Sequence, residues 1–133
     1  MKIKDLLGEA TEYDKKQAVE HKKVKSWLKS VSAFANTTGG TLIFGITDDE
    51  DIVGLENIKS DSEFVSQKIK ERISPFPEAI MTLHKAEDGK ELLLLHVPAG
   101  AETPYYYTGD GMTEAYIRIG NESVAADATE LKR

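Results

Sequence analysis

A helix of small and apolar residues that runs through two glycines directly into a wholly apolar strand leaves the chain few ways to fold. Residues 32–46 read Ser-Ala-Phe-Ala-Asn-Thr-Thr-Gly-Gly-Thr-Leu-Ile-Phe-Gly-Ile. Upstream, Val24, Trp27, Leu28, Val31, Phe34 and Ala35 recur at i, i+3, i+4 and i+7. That spacing predicts an amphipathic helix over residues 20–36. Asn36 and the Gly39-Gly40 pair stop it, because glycine costs about 1 kcal/mol inside a helix and takes positive φ readily. Thr41 to Ile46 is then apolar on both faces, as expected of a strand inside its sheet. Helix and strand must pack on one another across a very short connection.

The rest of the pattern extends this α+β reading. Asp48-Asp49-Glu50-Asp51 forms an acidic loop, and Ile52-Val53-Gly54-Leu55 returns to the core. A second helix is expected over residues 60–73, with Phe64, Val65, Ile69 and Ile73 inside and Ser60 with Glu63 as its capping box. Pro75 and Pro77 follow it. Residues 80–86 and 91–97 predict a hairpin about Asp88-Gly89. Residues 98–111 read as a loop containing Tyr105, Tyr106 and Tyr107, which either pack it on the sheet or offer their rings for stacking, and residues 115–119 as the last strand. Tyr116 and Arg118 share one face of that strand. Residues 121–133 hold little to pack. The expectation is an α/β sandwich with two main helices and a mixed, mostly antiparallel central sheet.

Charge separates along the chain. Its formal net charge is −6 over 133 residues, yet residues 15–29 hold six lysines and one acid. A basic patch on an acidic body and a merely solvated helix face are both compatible with this. With no cysteine, disulfides, thiolate metal sites and thiol nucleophiles are excluded. His21, His84 and His96 have no ligand spacing, and His96 reads as a core histidine within its apolar strand. No apolar run reaches the roughly 20 residues that span a bilayer, and the start of the chain lacks the apolar core of a signal peptide. A cytoplasmic, non-membrane protein is the expectation. The glycines are not a P-loop, since no G-x-x-x-x-G-K-[ST] occurs. They also follow a helix C-terminus, whose dipole disfavours anions.

These motifs together resemble the Schlafen/AlbA-type domain. The resemblance rests on Ala33-Phe34-Ala35-Asn36, Gly39-Gly40-Thr41-Leu42, Gly45-Ile46-Thr47-Asp48-Asp49, Ile52-Val53-Gly54-Leu55, Pro104-Tyr105-Tyr106 and Tyr116-Ile117-Arg118-Ile119-Gly120-Asn121. It covers residues 9–124 and implies a single domain over residues 1–133, the N-terminal part of a longer protein. Bacterial members of this type stand at the front of transcriptional regulators and RecG-helicase-related proteins and are regarded as DNA-binding. In animal Schlafen proteins a similar domain cuts transfer and ribosomal RNA with a metal-binding acidic trio. Residue by residue, that trio falls on Glu9, Asp14 and Asp48, with Lys15 where the family usually has an aromatic residue and Asp14 one methylene shorter than the family's glutamate.

Two functions follow as expectations, with a third behind them. The first is binding of nucleic acid, DNA in particular, through the phosphate backbone. Lys15, Lys16, Lys22, Lys23, Lys25 and Arg118 would supply the contacts, with no cofactor. The second is a metal-dependent endoribonuclease using Glu9, Asp14 and Asp48 with Mg²⁺ or Mn²⁺, since hard cations take clustered carboxylates and activate water. The third is an oligomerisation or interaction module, a homodimer joined to a downstream domain. Alongside these, Arg118 is as readily the partner of a carboxylate.

Overall fold

The computed structural model describes residues 12–126. Two helices and eight strands follow in the order β1 (Tyr13–Lys16), α1 (Lys25–Ala35), β2 (Gly40–Phe44), α2 (Ile58–Arg72), β3 (Ile73–Ser74), β4 (Ile80–Lys85), β5 (Glu91–Val97), β6 (Tyr106–Gly109), β7 (Met112–Ile119) and β8 (Glu122–Ala125). The strands form two four-stranded sheets, ordered β1-β2-β5-β4 and β3-β6-β7-β8. Among the described residues only β1 and β2 pair in parallel; every other neighbouring pair is antiparallel. The expected α+β arrangement with a mixed, mostly antiparallel sheet is therefore present, its strands divided between two layers.

Helix α1 lies between the layers and touches both sheets. Trp27, Leu28, Val31, Ala33 and Phe34 are fully buried against Leu42, Phe44, Leu93 and Leu95 of the first sheet and Tyr107 and Tyr116 of the second. Burying a Leu or Phe side chain stabilises by about 1.5–3 kcal/mol, so this one helix holds a large share of the core. A second, smaller cluster of Ile43, Ile46, Leu92 and Leu94 covers the other face of the first sheet. That cluster is why β2 and much of β5 are apolar on both faces.

The Gly39-Gly40 turn is structural. Gly39 has φ +85°, and a Cβ there would meet the Ala99 nitrogen at 2.9 Å; at Gly40 it would meet the Phe34 ring at 2.5 Å. Both glycines are buried, so their amides offer no open cradle for a phosphate. Asn36 joins the layers. Its Oδ1 accepts from the Tyr105 amide (2.6 Å) and its Nδ2 donates to the carbonyls of Tyr105 and Tyr116 (2.9 Å each).

Several local expectations need correction. Helix α1 begins at Lys25, not at residue 20, because residues 20–23 turn back: the Trp27 indole donates to the Glu20 carbonyl at 3.0 Å. Lys22 and Lys23 thus stand in a turn before the helix. The cap of α2 is Asn57, whose side chain accepts from the Ser60 amide at 3.1 Å, and not a Ser60 box. Residues 106–109 are a strand, the following strand starts at Met112, and Glu122–Ala125 adds β8, pairing Tyr116 with Ala125. Main-chain pairing decided these short segments rather than apolar content. His96 is exposed, because it lies beyond the Leu92–Leu94 cluster on that face; its Nδ1 sits 3.2 Å from the Thr41 hydroxyl.

Candidate nucleic-acid interface

Strand β1 carries the chemistry at one edge of the first sheet. Alternation along the strand sends Asp14 and Lys16 to one face and Tyr13 and Lys15 to the other. The contacts follow this rule. Asp14 meets α1 and β7, Lys16 donates to the Ser26 carbonyl of α1 at 3.2 Å, and Tyr13 packs on the Ile43 cluster. Lys15 donates to the Asp48 carbonyl at 2.6 Å and lies 3.9 Å from Glu50.

An opening lies on each side of this edge. On the α1 side, about 350 Å³ is bounded by Lys16, Lys29, Ser30, Arg118, Ser123 and Asp14, with Asn121 and Glu122 at the rim. On the other side, about 660 Å³ is bounded by Glu12, Tyr13, Asp14, Lys15, Asp48 and Asn121. Asp14 and Asn121 border both; the β1 groove is this pair of openings, one on either side of the strand.

Asp14 and Arg118 form the hub of that groove. The Arg118 guanidinium donates in a fork to the carboxylate, Nη2 to Oδ1 at 3.0 Å and Nη1 to Oδ2 at 3.2 Å. It also donates to Ser123 Oγ at 2.9 Å and lies 5.0 Å above the Phe34 ring. The Ser30 hydroxyl donates to Asp14 Oδ2 at 2.6 Å. The Arg118 side chain is only 4 % exposed and that of Asp14 20 %. Geometry of this kind ties β7 and α1 to β1 and neutralises both charges. Arg118 is thus committed to a carboxylate rather than extended toward solvent. The Asp14 carboxylate already accepts three hydrogen bonds.

The other sequence candidates scatter. Lys22 and Lys23 are exposed in the turn before α1. Lys25 reaches toward β7, 3.5 Å from the Met112 sulfur and 3.9 Å from Glu114. Asp48 is exposed at the rim of the larger opening, held by a turn in which Thr47 and Asp51 bond reciprocally, amide to carbonyl at 2.9 Å and amide to hydroxyl at 3.0 Å. Glu9 lies outside the described residues. Among the described residues no three His, Asp or Glu side chains are grouped so as to hold a metal ion. Residues 105–107 do not present a stacking platform, since Tyr105 and Tyr107 are buried.

Four contributors were not chosen from the sequence. Lys29 is the second lysine of the smaller opening, and Ser30, Ser123 and Asn121 complete its wall. One signal was available: Ser30 and Ser32 are fully buried serines within the apolar stripe of α1. A serine on such a stripe implies a hydrogen-bonding partner from another element.

The family model described as Schlafen, AlbA_2 matches residues 9–127. Among solved structures, the chain is similar to the N-terminal domain of a RecG-related protein from Nitrosomonas europaea. Identity is 26 %, the match covers 90 % of this chain and 86 % of that one, and the TM-score is 0.62. No curated protein matches.

Proposed function

The chain belongs to the Schlafen AlbA_2 family, and from that premise we propose that it binds nucleic acid, DNA in particular, by its phosphate backbone along the β1 groove, as part of a bacterial transcriptional regulator. The observation that carries the reading is the meeting of Lys16 and Lys29 over one opening walled by the Ser30 and Ser123 hydroxyls and Asn121, beside Lys15. Two ammonium groups with adjacent hydroxyl and amide donors suit a phosphodiester oxygen. Lys22 and Lys23 extend the same sign of charge from the turn before α1. Arg118 acts indirectly, fixing β1 against α1 so that Lys16 and Lys29 converge. The similarity to a protein named as related to the ATP-dependent DNA helicase RecG is of the same character.

Anisotropy of labelled duplex DNA and of RNA, titrated with the protein across salt, tests this. Affinity should fall steeply between about 50 and 200 mM salt as counterions are released. Absence of binding at low salt overturns the reading.

Metal-dependent RNA cleavage is the second reading, favoured by Asp14 and Asp48 bordering one opening. The prior engagement of Asp14 by Arg118 and Ser30 places it second. Transfer RNA incubated with Mn²⁺ should remain intact. Fragments that vanish in Asp48→Ala would reverse the order.

A further inference from the structure

Strand β4 is the opposite edge of the first sheet, and three of its exposed side chains are large and apolar, beside Thr82 and Lys85. Ile80 is 48 % exposed, Met81 37 % and Leu83 57 %, and Phe76 just upstream is 64 % exposed. Ile80 and Leu83 point to opposite faces, so both sides of the edge are apolar. Edge strands are ordinarily guarded by charges, bulges, prolines or a covering element. Here the only charge within the strand is Lys85, at its end. Among the described residues no strand pairs with its outer side. The Ala86 amide donates to the Lys90 carbonyl at 2.8 Å, and β4 pairs with β5 in the same register, Ile80 with His96 and His84 with Leu92. Antiparallel pairing turns alternate residues toward the partner strand. The even-numbered residues therefore bond to β5, and the amides and carbonyls of Met81, Leu83 and Lys85 point outward.

We infer that β4 pairs antiparallel with β4 of a second copy of this chain, about a twofold axis at Thr82, making one continuous eight-stranded sheet. The strand's own sequence selects this occupant. In that register Met81 bonds with Leu83 of the second copy and Leu83 with its Met81, so apolar side chains meet on one face. Ile80 faces the second copy's His84 on the other face. Lys85 falls opposite Ala79, so no like charges oppose each other. Cross-strand apolar pairs and shared main-chain bonds are what stabilise such a join. Seven strand spacings of about 4.8 Å would place the two β1 edges some 34 Å apart, roughly one turn of duplex DNA. That last consequence alone rests on the nucleic-acid reading.

Sedimentation equilibrium of the full chain without nucleic acid tests the pairing. The expected mass is twice that of one chain, falling to one chain in Leu83→Pro and in Met81→Lys/Leu83→Lys, with circular dichroism unchanged. Leu83→Pro removes an outward amide only, leaving the β4–β5 ladder whole. A single-chain mass for the wild type at all concentrations overturns the proposal, as does a dimer that survives both variants. Amide exchange of the wild type supplies a readout free of folding artefacts. Met81 and Leu83 amides should be protected at high concentration and lose protection on dilution; free exchange throughout overturns the proposal.

Discussion

The two edges of the first sheet have opposite characters. At β1 the residues are Tyr-Asp-Lys-Lys, and each charged side chain is turned to a particular neighbour: Asp14 to Arg118, Lys16 to the Ser26 carbonyl, Lys15 to the Asp48 carbonyl. At β4 the residues are Ile-Met-Thr-Leu-His-Lys, and Ile80, Met81 and Leu83 are exposed. Helix α1 and strand β7 anchor the first edge through Asp14, and no described strand pairs with the outer side of the second. Exposure of polar groups costs nothing, whereas exposure of apolar groups does. A charged edge can therefore end in a solvated groove, while an apolar edge is complete only against another surface.

Breaking the β1 hub should have the largest effect. Arg118→Met strands the partly buried Asp14 carboxylate and is expected to lower unfolding free energy by about 3–5 kcal/mol, read by urea denaturation. Asp14→Asn, which retains hydrogen-bonding capacity, should cost less. Equal losses for the two would show that the charge pairing is not what holds this edge. Asn36→Ala orphans the Tyr105 amide and the Tyr116 carbonyl, while the Tyr105 carbonyl keeps the Ser32 hydroxyl; the cost is about 1–3 kcal/mol for each group left unsatisfied and unsolvated.

The binding side of the comparison follows. Lys16→Ala and Lys29→Ala should each reduce the slope of log affinity against log salt on duplex DNA by about 0.9, without sequence preference. Lys25→Ala, whose ammonium already faces Glu114, should change the slope less. A larger change at Lys25 than at Lys29 would move the interface off the β1 groove. At the other edge, Leu83→Lys should alter the stability of a single chain by less than about 0.5 kcal/mol while abolishing self-association.

A smaller effect is expected at high pH. Burial, together with the Glu114 carboxylate that its hydroxyl contacts, raises the Tyr116 pKa well above the usual 10.0; burial and Asp110 raise that of Tyr107. Above pH 10 the unfolded chain loses these protons while the folded chain keeps them. The unfolded state then binds fewer protons, and stability falls as pH rises. Tyr116→Phe should flatten that decline in denaturation midpoints measured above pH 10.

Much of the fold was legible in the residues because periodicity reports burial. The 3.6-residue stripe of α1, the apolar β2 and the Asp88-Gly89 hairpin each state locally which side faces inward. Strands β6 and β8 were not legible, since they are held by main-chain pairing that no side chain records. The site was legible only in part. Lys15 and Lys16 were visible as a basic segment, whereas Lys29 joined them only because α1 crosses β1 at Ser26 and Ser30.

By itself the sequence determined the family, the α+β class, the core of α1 and β2, and the structural nature of the Gly39-Gly40 turn, because these depend on spacing between near neighbours. Only the tertiary structure decided that Asp14 and Arg118, 104 positions apart, would satisfy one another. It also decided which strands became edges among the described residues, β1 charged and anchored to α1 and β7, β4 apolar and exposed. The reason is physical: a side chain's charge is fixed by its identity, but its partner is fixed by which elements the core draws together.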